Sequence, residues 1–183
     1  MKFTKPALIL STVFAASFSA SATMADTTIT SSLQSISAEI EGTTYSGALA
    51  TTVSASFDIA DNIVGMASFS YLTASGAQAT LFDAGVGYTL QNNLNAAAGT
   101  GSKIGAGVTL SGNVLVAGQT AISKDFIVGG SLATPLTAFG SVISYAAEIE
   151  YVPWGLVGSY EKAEANGYDV SVTGFGIGYR TRF

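Results

Sequence analysis

The stretch that decides the fold is GFGIGYRTRF, residues 174–183. Every second position is large and apolar or aromatic at Phe175, Ile177, Tyr179 and Phe183, with Thr181 in the same series. The positions between them carry Gly174, Gly176, Gly178, Arg180 and Arg182. A period of two puts the two sets on opposite faces of a β-strand. One face is then apolar, and the other holds two guanidinium groups among glycines.

The same alternation recurs upstream. Leu49, Val53, Phe57 and Ile59 oppose Ala50, Thr52, Ser54, Ser56 and Asp58. Phe82, Ala84, Val86, Tyr88 and Leu90 oppose Asp83, Gly85, Gly87 and Thr89. Ile143, Tyr145, Ala147, Ile149 and Tyr151 oppose Ser144, Ala146, Glu148 and Glu150. Turn signals open four similar stretches at Asp61 (DNIVGMAS), Asn92 (NNLNAAAG), Lys124 (KDFIVGGS) and Pro153 (PWGLVGSY), 29 to 32 residues apart. A membrane-barrel strand takes about 9–11 residues, so each unit fits one hairpin, and five hairpins make an antiparallel, up-and-down barrel of ten strands. An eight-stranded barrel with a longer loop over 123–140 is the alternative. In residues 99–120 we expect a single hairpin apex near 103–110. A turn at Ser111-Gly112-Asn113 would, on this scheme, add strands. Outer loops are expected at 41–47, 73–79 and 164–169.

Composition says which way the apolar faces point. The chain is 48% hydrophobic but only 10% charged, whereas a soluble domain carries about 25% charged residues. No segment after the first 25 residues approaches the ~18 consecutive apolar residues of a spanning helix. The N-terminus has Lys2 and Lys5, an uncharged apolar run over 7–20, and small-residue cleavage patterns ending at Ala22 and Ala25. That layout is a secretory signal peptide over 1–25, leaving one domain over 26–183. An exported, apolar, weakly charged chain without a spanning helix points to a membrane-inserted β-barrel with its apolar face on lipid. Phe57, Tyr88, Phe126, Tyr151, Trp154, Tyr179 and Phe183 fall near the short-turn end of the strands, and Tyr71, Phe82 and Tyr160 toward the other end. Two such bands match the aromatic girdles of a bilayer's two interfaces.

With residues 1–25 removed, five basic side chains stand against 12 acidic ones, a formal charge of −7. There is no basic patch for nucleic acid. The chain has no His and no Cys, so the commonest general base and the commonest soft metal ligand are both missing, and no disulfide can form. Asp58-Ile59-Ala60-Asp61-Asn62 lacks the Gly and closing Glu of a calcium loop. The Gly-rich GVGYTL and GFGIGY stretches precede no helix and so are not phosphate loops. The expectation is a non-enzyme with no cofactor and no metal.

The final strand resembles the terminal strand of bacterial outer-membrane β-barrel proteins through Phe175, Ile177, Tyr179 and Phe183, with Thr181 departing from the large residue usual there. The chain as a whole resembles small outer-membrane barrels of Gram-negative bacteria over about residues 30–183. That resemblance implies residence in the outer membrane, contact with its lipid, and recognition of the last strand by the barrel-assembly machinery during insertion. A monomer is favoured.

If Phe183 faces lipid, Arg180 and Arg182 face the lumen, where each needs a partner or water. Alternation offers Glu148 and Glu150 two strands away on one side and Asp58 two strands away on the other, about 10 Å at normal strand spacing. Glu161 is a higher, secondary candidate. The function read from this is an integral barrel with a structural or narrow-pore role, its lumen partly closed by ion pairs. A surface adhesin or host-interaction barrel and a soluble secreted β-sandwich are the alternatives. Replacing both Phe183 and Tyr179 with Ala should leave unfolded protein in the periplasm, measured as loss of the compact, heat-modifiable gel band; an undiminished band would refute the assembly reading of this strand.

Overall fold

The computed structural model describes residues 27–74, 77–137 and 139–183; the expected signal peptide lies outside them. Ten strands follow one another: β1 (Thr28–Ile40), β2 (Thr43–Ala60), β3 (Ile63–Ala74), β4 (Ala77–Asn92), β5 (Ser102–Thr109), β6 (Asn113–Ala121), β7 (Phe126–Pro135), β8 (Val142–Tyr151), β9 (Leu156–Ala165) and β10 (Val170–Arg182). Each pairs antiparallel with its sequence neighbours, and β10 returns to β1, so the sheet closes into one barrel. The ten-strand reading therefore holds over the eight-strand one, and β7 runs through the segment that the latter would leave as a loop. The soluble two-sheet sandwich is not the fold.

The turns expected at Asp61, Asn92, Lys124 and Pro153 all lie at one end of the barrel, together with the start of β1 and the end of β10. The last of them is a short 3₁₀ turn, Val152–Trp154, closed by Gly155 at φ 63°. At the opposite end the connections are shorter than expected. β2 resumes at Thr43 and β4 at Ala77, so most of 41–47 and 73–79 belongs to strands.

The centre of the chain needs a correction. Residues 103–110 are not an apex. They lie almost wholly in β5, and the chain reverses at 110–112, ahead of Asn113. The strand count stays at ten because β5 and β6 are short, at 8 and 9 residues. Gly112 supplies the φ of +82° that the reversal needs. Asp83 of β4 holds the turn from the side, accepting from the Ser111 amide at 3.1 Å and hydroxyl at 2.6 Å. The β4–β5 ladder starts only at Gly85–Thr109, so the upper part of β4 stands above this hairpin and the rim is stepped there.

Burial alternates along the strands as the sequence pattern requires. Ile29, Leu33, Leu49, Val53, Phe69, Val86, Ile104, Leu132, Ile149, Phe175 and Ile177 are exposed, whereas Thr28, Thr30, Gln34, Thr52, Ser54, Ser70, Gln119 and Ser144 are buried. The outer face is apolar and the lumen is mostly polar or small, the reverse of a water-soluble protein. Toward the loop end the lumen becomes apolar, where Ile36, Ala50, Leu72, Ala163 and Val172 pack together. Across the ring, Val64, Met66, Leu115 and Ala133 form a second cluster.

Close strand approach explains one group of glycines. A Cβ on Gly107 would lie 2.6 Å from the Val86 carbonyl oxygen and 2.9 Å from the Gly87 Cα, so backbone would have to move. A Cβ on Gly158 would meet only the Ile149 methyl at 3.6 Å, an ordinary contact. Gly107→Ala should therefore lower the urea midpoint of the folded barrel, and Gly158→Ala should leave it within error; equal effects would contradict the β4–β5 packing described here.

Candidate functional site

The chemistry-bearing side chains converge in the lumen near the short-turn end. Alternation on β10 turns Arg180 and Arg182 inward, and alternation on β8 does the same for Glu148 and Glu150. One strand, β9, separates them. The register sets Glu150 opposite Val157 and Val157 opposite Gly178, and Glu148 opposite Ser159 and Ser159 opposite Gly176. Both carboxylates thus lie level with glycines of β10. Each arginine reaches them along a diagonal that no β10 side chain obstructs.

Arg180 grips Glu148 with two parallel bonds, Nη1 to Oε1 at 3.0 Å and Nη2 to Oε2 at 2.8 Å. Its Nη1 also donates to Glu150 Oε2 at 2.9 Å, and its Nε donates to Thr30 Oγ1 of β1 at 3.0 Å. Arg182 closes on the other side of Glu150, with both terminal nitrogens donating to its carboxylate. The fork of a guanidinium suits this geometry, and a lysine could not reproduce it. Arg180 is 2% exposed and Glu150 0%, so these charges are out of water and depend on one another.

A layer of amides extends the cluster. Gln119 of β6 donates from Nε2 to Glu148 Oε1 at 2.8 Å, and Gln34 of β1 donates from Nε2 to Glu161 Oε1 at 2.8 Å. Gly129 and Gly176 make room for this layer. A Cβ on Gly129 would come within 2.9 Å of Glu148 Cγ and 3.1 Å of Gln119 Cγ, and one on Gly176 within 2.6 Å of Ser159 Oγ and 2.8 Å of Gln34 Cγ. The neighbouring side chains lie across the wall where these glycines leave it bare. Lys103 of β5 is buried in the same lumen at 1% exposure. The buried acids Glu148, Glu150 and Glu161 are thereby matched in number by Arg180, Arg182 and Lys103.

Asp58, expected to share in pairing the arginines, does not. Arg182 stands opposite Thr28, and Thr28 opposite Ser56, so Asp58 falls a step beyond the arginine level, and the β2–β3 register shifts between Asp58 and Ala60. Its side chain is exposed at the rim and lines an open hollow of about 550 Å³ with Asp61, Asn62, Thr89 and Asn92. Sequence reasoning also missed Thr30, Gln34, Lys103 and Gln119. The signal for Gln34 and Gln119 was a long polar side chain on the small-residue face of an alternating strand; Lys103 lay in the segment misread as an apex. Among the described residues no three His, Cys, Asp or Glu side chains group to hold a metal ion.

On the outer wall aromatic rings cluster at two levels, and of the upper band expected from the sequence only Tyr160 takes part in the contacts found. Phe126, Tyr151 and Trp154 are in contact at the short-turn end, with ring centroids 5.3 and 5.6 Å apart. Tyr145, Tyr160 and Phe175 form a second run higher up, at 6.4 and 5.1 Å. From Phe175 to Phe183 the outward face of β10 is large except at Thr181, a span of nine residues that matches the ~9–11 residues of a membrane-crossing strand. A closed ring of strands, an apolar outer band and a charge-balanced interior define a small β-barrel of the outer-membrane type.

No protein-family model matches the sequence, and neither does any curated protein sequence. Among solved structures the chain is similar to the translocator domain of autotransporter NalP from Neisseria meningitidis, with 12% identity, 96% of each chain covered and a TM-score of 0.46. It is similar to Neisserial surface protein A, with 11% identity, 86% of this chain and 97% of that one covered, and a TM-score of 0.43. It is also similar to Ail, the attachment invasion locus protein of Yersinia pestis, with 12% identity, 86% and 100% covered, and a TM-score of 0.39. Likeness at this distance bears on no activity.

Removing Arg180 strands Glu148 in a dry interior and leaves Glu150 to Arg182 alone, and breaking a buried pair in this way costs about 3–5 kcal/mol. Arg180→Leu should lower unfolding stability by that order in a urea titration of the folded barrel. Arg182→Leu, whose partner Glu150 keeps Arg180, should cost less; the reverse ranking would contradict the assignment of Arg180 as the centre of the cluster.

Proposed function

We propose that the protein is an integral barrel of the cell outer membrane with a structural role, and that its lumen is closed and does not conduct. The observation that carries this reading is the burial of the lumen ion cluster. A guanidinium and two carboxylates that share bonds and are shielded from water support a bore that is plugged at their level. A solute crossing here would have to break bidentate bonds between desolvated charges. Toward the loop end, Ile36, Ala50, Leu72, Ala163 and Val172 add an apolar layer in series with the ionic one. Two barriers of opposite chemistry suit a sealed wall better than a filter, which binds its solute weakly enough to release it.

The arginines are then charge compensation inside a closed barrel. They neutralise acids that the lipid face could not accept, since a charge near the midplane of that face costs about 2–4 kcal/mol. Export through the signal peptide, insertion by the barrel-assembly machinery through Phe175, Ile177, Tyr179 and Phe183, and a monomeric state in lipid complete the proposal.

Planar-bilayer recording of the refolded barrel tests it. The wild type should show no steady single-channel steps. Glu148→Ala together with Arg180→Ala, which removes the central pair of the ionic layer without changing its net charge, should still conduct little because the apolar layer remains. Discrete, salt-proportional steps from the wild type would overturn the closed-lumen reading.

A further inference from the structure

The outer wall carries one feature that a closed structural barrel does not require. β7 and β8 stop pairing at Ala133–Ser144, although Thr134, Pro135, Val142 and Ile143 still belong to the strands. The Thr134 hydroxyl takes over there, donating to the Val142 carbonyl at 2.9 Å and accepting from the Gly140 amide at 2.9 Å. The hairpin tip splays, and between the strands and Phe139 and Gly140 lies an apolar groove of about 250 Å³. Val114, Val116, Leu132, Phe139 and Ile143 line it. The connection is pinned on both flanks, by the Leu136 amide on the Gly112 carbonyl at 2.7 Å and the Asn166 amide on the Ser141 carbonyl at 2.8 Å. The groove is therefore built in advance of any occupant.

Beside it stands a cation. Lys162 lies on the outward face of β9, opposite Tyr145 of β8 and Thr173 of β10. The next outward residue, Glu164, is opposite Ile143 of the groove wall. Of the basic residues described, Arg180, Arg182 and Lys103 face the lumen and Lys124 sits in a short turn, so Lys162 alone lies on the outer wall in the loop-side half. Its height is set by its neighbours. Tyr145, Tyr160 and Phe175 mark the upper aromatic run, and above them the outer face of β9 and β10 turns polar at Lys162, Glu164, Thr173 and Ser171. That is headgroup depth, where a lysine extends its ammonium toward the interface and its charge costs about 0–1 kcal/mol. Glu164 accepts from the Lys162 ammonium, whose three donors let it reach a second anion as well.

We propose that this wall holds one phosphate-bearing acyl lipid of the outer leaflet, with a chain in the groove under Phe139 and its phosphate on Lys162. The groove commits the occupant to an acyl chain because it faces the bilayer and is lined almost wholly by hydrocarbon. The lysine selects an anionic headgroup over a neutral one. The inference rests on the barrel standing in lipid, and its test reads bound lipid, not current, so it fails separately from the closed-lumen reading.

Native mass spectrometry of the folded barrel in mild detergent supplies the test, with two probes of identical chains: dimyristoyl phosphatidic acid and dimyristoyl glycerol. The wild type should retain the phosphatidic acid about tenfold more than the glycerol lipid, a preference worth about 1.4 kcal/mol. Lys162→Gln should abolish that preference, and Lys162→Arg should keep it. Ile143→Trp, which fills the groove, should weaken retention of both probes. Equal retention of the two lipids by the wild type would overturn the proposal. So would an unchanged preference in Lys162→Gln, or displacement of phosphatidic acid by millimolar inorganic phosphate, which would mean that the groove contributes nothing. Both lysine variants lie on the outer wall and touch no lumen contact, so the comparison stands even if Ile143→Trp folds poorly.

Discussion

The constraint on which everything else depends is the pairing of backbone amides where there is no water. Hydrocarbon offers no substitute hydrogen bond, so a sheet that crosses it can have no open edge. The β1–β10 ladder removes the edge by running from Thr28–Arg182 to Ile40–Val170. Once the ring closes, a strand has only two directions in which to place side chains, lipid and lumen. Every charged group of the spanning segments is then driven inward or toward an interface, and only small hydroxyls such as Ser31, Ser35 and Thr51 stay on the outer face. The ion cluster is a product of closure before it is anything else.

Driving charges into a narrow lumen creates a second problem, because desolvated ions must find counterions there. Two features answer it. Three buried acids face three basic side chains, of which Arg180 and Lys103 are buried and Arg182 is half-buried, and the side chains are given room to meet. That room comes from glycine. Gly176 and Gly178 clear the diagonal from the arginines of β10 to the carboxylates of β8, and Gly129 lets Gln119 and Glu148 lie over the wall of β7. The alternating glycines of residues 174–178, which look like weak strand residues, thus have a packing reason.

Much of this was legible in the sequence. Strict alternation in β2, β4, β8 and β10 declared the two faces, and turn signals at Asp61, Asn92, Lys124 and Pro153 marked one end of the barrel. Alternation and strand order put Glu148 and Glu150 on β8 among the candidate partners of Arg180 and Arg182, beside Asp58 and Glu161. What was hidden depended on register. Asp58 has the right parity but the wrong height, and height comes from where neighbouring ladders begin and from the shift at Ala60. The reversal at 110–112 corresponds to the turn at Ser111-Gly112-Asn113 that stood second to an apex near 103–110, because KIGAGVTLSGNVLVAG is small and uniform and the support of its tip comes from a distant carboxylate, Asp83. The groove under Phe139 was invisible, since it arises from a ladder that ends two residues early.

The chain of side-chain bonds also has a mechanical meaning. It runs from Gln119 on β6 through Glu148 on β8 and Arg180 on β10 to Thr30 on β1, with Gln34 on β1 bound to Glu161 on β9. These act as struts inside one arc of the tube, from β6 round to β1. Between β1, β2 and β3 there are also hydroxyl contacts between adjacent strands, Thr28 with Ser56 and Thr52 with Ser70. A strut that skips a strand resists flattening of the tube, whereas a contact between neighbours adds little to what the ladder already holds. Under the lateral pressure of a bilayer the arc from β6 to β1 is thus held in its curvature by side chains as well as by backbone.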